Sequence, residues 1–551
     1  MKQKNGFTLI ELLAVIVILA IIALIATPMI LSVIDSAKKG TAESSTYGYI
    51  DAIEKSDLQD MIDTGTYQTK KDGTYDLNTI GTVNYKGKSP ALICVLMKDG
   101  SVESGYFKFD SYIVEYKNGK AKVNSDLTTV DCTVTASDSA FNITKGVNAP
   151  QLTEGMTPIK WVNGVETVTT ADDPEWYDYN NKLWANVKTK DGSYWVWIPR
   201  YAYKITSGYH SSTKGTIDVK FLKGTSDIAV DNTKIENSGY VAGTKDTSMH
   251  YFTHPAFQND INRYGYWVAK FEPSVADQTD TCYTSPSSAN CNKSTLTIKI
   301  IPNVSSYLSI SVKNAYNTSV AMKIKRNIYG WNENQVDSHM VTSLEWGAIY
   351  YLTLSIYGAN TNEVYINNSN TYITGCTGNT ASATAYNGCQ NAYNTEIGVK
   401  ASTTWNITGV YDMSGGAYER TMAVYNNLLG MSEFTAEEYN RLPSDHITKY
   451  TTSNANLLED KGMDYDATVY GDGVYETSSG AYRLSSQRGW VGIEQGEWGK
   501  EESYLPYVYG PWIIRGGYFN STTGAGIGGF NNPDGSTFSY ASFRPIVSSL
   551  Q

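Results

Sequence analysis

Histidine is scarce in this chain: His210, His250, His254, His339 and His446 are the only five in 551 residues. The one pair with helical i, i+4 spacing is His250 and His254. Pro255 follows it at once and no glutamate completes an HExxH pattern, so a catalytic zinc helix is excluded. The six cysteines, Cys94, Cys132, Cys282, Cys291, Cys376 and Cys389, form no CxxC and no zinc spacing with histidine. GxSxG, P-loop and GxGxxG patterns are missing from any strand-to-helix context that would give them meaning. Long runs of one charge are missing as well. With 55 acidic and 44 basic residues the formal charge is −11, which argues against nucleic acid held by bulk charge. The expectation is a protein that is not an enzyme.

What is present is a skewed, ordered composition: 43 Tyr, 47 Gly and 12 Trp, with 41% hydrophobic residues. Such usage favours short strands, tight turns and broad amphipathic surfaces over helical bundles. Tyrosine and tryptophan also suit a binding surface, since each joins apolar area to a polar handle. The cysteines fall in three successive pairs. Six allow fifteen connectivities, and for an exported chain the simplest is 94–132, 282–291 and 376–389.

The N-terminus sets the expected compartment. From Leu12 to Ala26 run fifteen uninterrupted apolar residues, and between Phe7 and Ile34 the only charge is Glu11. A helix through this stretch exceeds the ~20 residues that cross a bilayer. A secretory signal peptide does not fit, because no small-x-small cleavage site follows the apolar run. A plain anchor leaves Glu11 unexplained, since a carboxylate there costs about 2.5–3.5 kcal/mol to insert.

The segment GFTLIELLAVIVILAIIA, behind a short leader carrying Lys2 and Lys4 and ending at Gly6, resembles the type IV prepilin family, pseudopilins included. The resemblance implies that a prepilin peptidase cuts between Gly6 and Phe7 and methylates the new N-terminus. It gives Glu11 an assembly role: pairing with the N-terminal ammonium of a neighbouring pilin subunit satisfies two buried charges together. The expected organisation is a leader (1–6), a pilin helix (7–56, membrane-spanning over 7–34) and a small antiparallel globular head (57–147). The precursor sits in the inner or cytoplasmic membrane, and the assembled subunit in an extracellular pilus or at the cell surface.

At Asn148 the texture changes, and a second module (148–551) is expected. Its helical spacing over 338–358 places Trp346 and Tyr350 one turn apart. The landmarks Asn406–Glu419, Arg515-Gly516-Gly517 and Ser542-Phe543-Arg544 resemble the formylglycine-generating-enzyme type of C-type lectin-like fold. Gly416, Tyr418 and Arg420 depart from that family's pattern. The overall class is α+β, a long helix with a small sheet followed by a β-rich lectin-like domain. The ending is also similar to the targets of diversity-generating retroelements, where the segment between the two landmarks forms a binding face. That likeness implies ligand contacts at Tyr518, Phe519, Asn520, Phe530, Asn531, Asn532, Asp534 and Tyr540, with Trp512 at the margin.

The lectin-like family also implies a structural calcium ion (Ca2+) held by carboxylate oxygens of Asp412 and Glu419 and by the carbonyls of Gly415 and Ala417. No catalytic cofactor is implied, and formylglycine chemistry is disfavoured because no cysteine follows Cys389. The function expected is a minor pilin or pilin-like adhesin that displays a binding domain for an extracellular protein or glycan. The alternatives are a structural pseudopilin of a secretion or DNA-uptake machine, and an extracellular enzyme on the same fold.

Overall fold

The computed structural model describes residues 9–550 apart from 65–72, 78, 82, 99–100, 118, 125–140, 143–144, 210–214, 236, 238–247, 249, 259–262, 451–468, 475, 478–505 and 507. The chain divides into two compact units, Met1–Ser139 and Ala140–Gln551. The division falls before the change of texture at Asn148 because Val147 already belongs to the core of the second unit. Asn148 likewise donates to the carbonyls of Gly224 and Tyr264 there.

The first unit is built on one helix, Leu9–Thr64, which continues past the expected end at residue 56. Ala42, Thr46, Tyr49, Ile50 and Ile53 are buried along it, the i, i+4, i+7 stripe of a helix with one covered face. They pack on a five-stranded sheet whose strands, Gly73–Asp76, Leu92–Lys98, Ser101–Phe109, Tyr112–Lys117 and Lys120–Asn124, follow one another in chain order. All four pairings are antiparallel. Side chains of the helix reach that sheet: Val102 N donates to Glu54 Oε1 at 2.9 Å and Val123 N to Glu43 Oε1 at 2.9 Å. Among residues with described side chains no helix is long and apolar enough to cross a membrane. The expected span, 7–34, falls mostly outside that set.

The second unit is β-rich and organised by two larger sheets. The seven-stranded sheet has the order Val336–Met340, Pro545–Ser549, Gly265–Ala269, Tyr194–Pro199, Asn186–Lys188, Thr157–Val162, Val165–Val168. Its central strands, YWVWIP and GYWVA, are buried at every position, so they read as continuous apolar runs and show no alternation. The second sheet aligns Thr448–Tyr450, Tyr418–Tyr425, Trp512–Gly516 and Gly526–Asn531, and Ala541–Phe543 pairs in parallel with Tyr418–Arg420. The helix Ser343–Leu354 begins with a capping box in which Thr342 and Glu345 each accept from the other's backbone. Trp346 and Tyr350 are both buried on it.

Disulfides join Cys282 to Cys291 and Cys376 to Cys389. Cys132 lies outside the described residues, and with it the expected 94–132 pairing.

Candidate functional site

The C-terminal segment leaves the strand Trp512–Gly516 through two glycines with positive φ, Gly516 at 85° and Gly517 at 72°. Only glycine takes that conformation without strain. It turns the chain so that Tyr518 and Phe519 stand half-buried and Asn520 exposed. Phe519 N donates to Gly416 O at 2.9 Å, Tyr518 N to Ser521 Oγ at 3.1 Å, and Tyr418 N to Tyr540 O at 3.0 Å, so this backbone is fixed from both sides.

The rings that result form one cluster. Tyr518 stacks on Tyr418, with centroids 5.0 Å apart, and on Tyr540 at 5.3 Å. Phe538 tilts against Tyr540 at 5.0 Å, and Phe519 meets Tyr518 and Tyr372 edge-on at 5.2 and 5.1 Å. Tyr540 keeps 39% of its surface exposed. The expected contacts Tyr518, Phe519 and Tyr540 are thus brought together, and the sequence reading missed Tyr418, Phe538 and Tyr372. The signal for Tyr418 was its departure, with Gly416 and Arg420, from the pattern of the lectin-like family that the segment resembles.

Other expected contacts are elsewhere. Trp512 is fully buried, stacked 6.1 Å from Phe434 with its indole N–H donating to Leu429 O. Phe530 is buried in a small core with Ile513 and Val474. These two are corrected to core residues, because neither offers surface to a ligand. Asn531, Asn532 and Asp534 are half-buried on a segment held by different partners: Trp512 N donates to Pro533 O and Met431 N to Asp534 O.

Under the ring cluster lies a charged layer. Arg544 is fully buried and donates to both oxygens of Glu419, to Ala269 O at 2.6 Å and to Tyr411 O at 2.9 Å. It ties the two large sheets together at the base of the face. Glu272, which the sequence reading did not single out, accepts from Ala417 N at 2.9 Å and from the Ser306 hydroxyl. A Cβ on Gly416 would come within 2.7 Å of Glu272 Oε1, so the glycine there leaves space for this carboxylate. Asp412 accepts from Asn367 Nδ2 at 2.9 Å and from Gly375 N at 2.8 Å.

Burial raises all three carboxyls. Glu272 goes well above the ordinary range, helped by the charges of Asp412 and Glu419, while Glu419 is pushed up to about 7 although Arg544 opposes the shift. Asp412 rises too, again against Arg544.

This layer bears on the calcium expectation. Glu419 commits both its oxygens to a guanidinium, and both Asp412 oxygens accept from neighbouring N–H groups. A calcium ion takes six to eight oxygens, and Glu419 stands ready as an ion-pair partner, not as a ligand. Of the expected set Asp412, Gly415, Ala417 and Glu419, the two carboxylates are thus already engaged by protein donors.

Arg515 differs from Arg544. It is equally buried, yet none of its three side-chain nitrogens has a hydrogen-bond partner among the described residues. It lies 5.8 Å from the ring centroids of Trp346 and of Phe530. His254 caps the 3-10 turn Pro255–Phe257 through Nδ1 and His250 is exposed, so the i, i+4 pair is not on a helix.

Residues 1–27 match the family model of the prokaryotic N-terminal methylation motif. Comparison with curated proteins gives no match. The chain carries a type IV prepilin-like N-terminus, which implies processing by a prepilin peptidase, assembly with other pilin subunits, and a membrane-anchored precursor followed by a surface pilus. Gly6, Phe7 and Glu11 all fall within the matched stretch. Gly6 and Phe7 lie outside the described residues, and Glu11 is on the long helix with its side chain outside them.

Proposed function

We propose that this protein is a pilin-like adhesin: a subunit retained by its N-terminal helix, with the second unit displayed outside the cell as a lectin-like recognition module. It acts by binding, without turnover. The observation that carries this reading is the ring cluster around Tyr518, half-exposed and fixed by backbone hydrogen bonds, in a chain that begins with a prepilin motif. A binding face gains contact area from such rings at low rotamer cost. A structural pseudopilin shares the same motif and needs no such face.

The test is an array of surface proteins and glycans probed with the exported chain. Changing Tyr518, Asn520 and Tyr540 together to Ala should remove binding to whatever is captured, with a melting temperature within a few degrees of the parent. Capture that survives the triple change misplaces the face. A chain that captures nothing while entering filaments normally supports the pseudopilin.

A further inference from the structure

Two of the five histidines meet in the folded second unit. Asp337 and His339 alternate on the edge strand Val336–Met340, so they share one of its faces. His446 arrives from the 3-10 turn Ser444–His446. All three side chains are buried. His339 Nδ1 lies 2.6 Å from Asp337 Oδ2, and His446 Nε2 lies 3.1 Å from the same oxygen. One nitrogen from each imidazole therefore converges on a single carboxylate oxygen, and the three ligand-type atoms lie within 4.8 Å of one another. The rings stack with centroids 4.3 Å apart.

The far nitrogens are braced. His339 Nε2 meets Glu345 Oε1 at 3.0 Å, and His446 Nδ1 meets the Tyr316 hydroxyl at 2.9 Å. Such outer partners fix the ring orientation of metal-binding histidines. The charges around the cluster are uneven. Glu345 and Asp445 share one guanidinium, Arg263, at 2.6 and 3.1 Å, and Lys323 stays 4.0 Å from Asp337. Three carboxylates thus face one arginine and one more distant lysine, so the surroundings of the two imidazoles carry more negative than positive charge, which favours a cation.

We propose that Asp337, His339 and His446 form a binding site for a divalent transition-metal ion of the zinc class. Two imidazoles and one carboxylate are a donor set that suits zinc, with water or the second Asp337 oxygen completing a tetrahedron. The ion takes the place of the protons now held between the rings and Asp337, and each ring turns about its Cβ–Cγ bond to aim its lone pair. Its role is structural: it fastens the 444–446 turn, and the adjoining strand Thr448–Tyr450 of one large sheet, to the edge strand of the other.

Tag-free full-length protein in detergent, stripped by chelator, is titrated with Zn2+ and with Co2+ as a coloured probe. One equivalent of Co2+ should produce a visible absorption band that one equivalent of Zn2+ bleaches, and Zn2+ should raise the melting temperature by several degrees. His446→Gln keeps an amide donor toward Asp337, and Asp337→Asn keeps the shape of the site. Each should lose both the band and the thermal shift while retaining the circular dichroism of the stripped parent, and each is read separately, so that a folding failure in one leaves the other. No saturable uptake of either ion by the parent, or a band and shift unchanged in these variants, overturns the site.

Discussion

Arg544 and Arg515 show how differently one side-chain type can be buried. Arg544 meets a carboxylate and two carbonyls, so its fork is satisfied and its charge compensated. Arg515 has ring faces for company, a weaker form of compensation, and Asp472 is the first counter-charge acting on it. Burial pushes Asp472 from 3.8 up to about 6, against hydrogen bonds from Val474 N and the Tyr450 hydroxyl. The folded state thus holds the Asp472 proton more tightly than the unfolded state does. The resulting stabilisation is complete below the unfolded pKa and is lost as pH rises through about 6. Asp472→Asn cannot titrate, so relative to the parent its stability should improve by about 2 kcal/mol between pH 4 and pH 7, whatever the fixed cost of the change. Urea unfolding of both proteins across that range gives the comparison, and two parallel curves would remove the argument.

At the scale of elements, the helix Ser343–Leu354 makes the sharpest case. Its Gly347 is a poor helix former, and Ala at that position would gain up to about 1 kcal/mol in an isolated helix. Here the added Cβ would fall 1.9 Å from Gly471 O and 2.6 Å from Asp472 Cα, backbone atoms that cannot turn aside. Gly347→Ala should therefore lower the melting temperature, against its propensity, and a rise would show that the 471–474 segment is free to shift. This helix was legible in the sequence because its apolar residues recur at helical spacing. The disulfides 282–291 and 376–389 were legible as neighbours along the chain. The burial of Trp512 and Phe530 was not: WIIRG and GIGGF are covered on both faces, and a strand buried on both sides carries no alternation to reveal which residues face solvent. The approach of Glu272 to Gly416 and of His339 to His446 was equally hidden, since each joins segments far apart in sequence that only sheet pairing brings together.

For the whole molecule, the prepilin motif makes a direct prediction. N-terminal sequencing of the exported protein should begin at Phe7, with the amine methylated, and Glu11→Val should insert in the membrane at least as well as the parent while failing to enter filaments. A start at Met1 or beyond Thr27, or normal incorporation of that variant, would break the pilin reading. The topology of the second unit bears on how such a protein is made. The strand Pro545–Ser549 lies between Gly265–Ala269 and Val336–Met340, and Arg544 just before it joins the two sheets. Neither neighbour can complete its ladder until these residues have been translated. A chain built in this order cannot close the seven-stranded sheet before its last strand has been made.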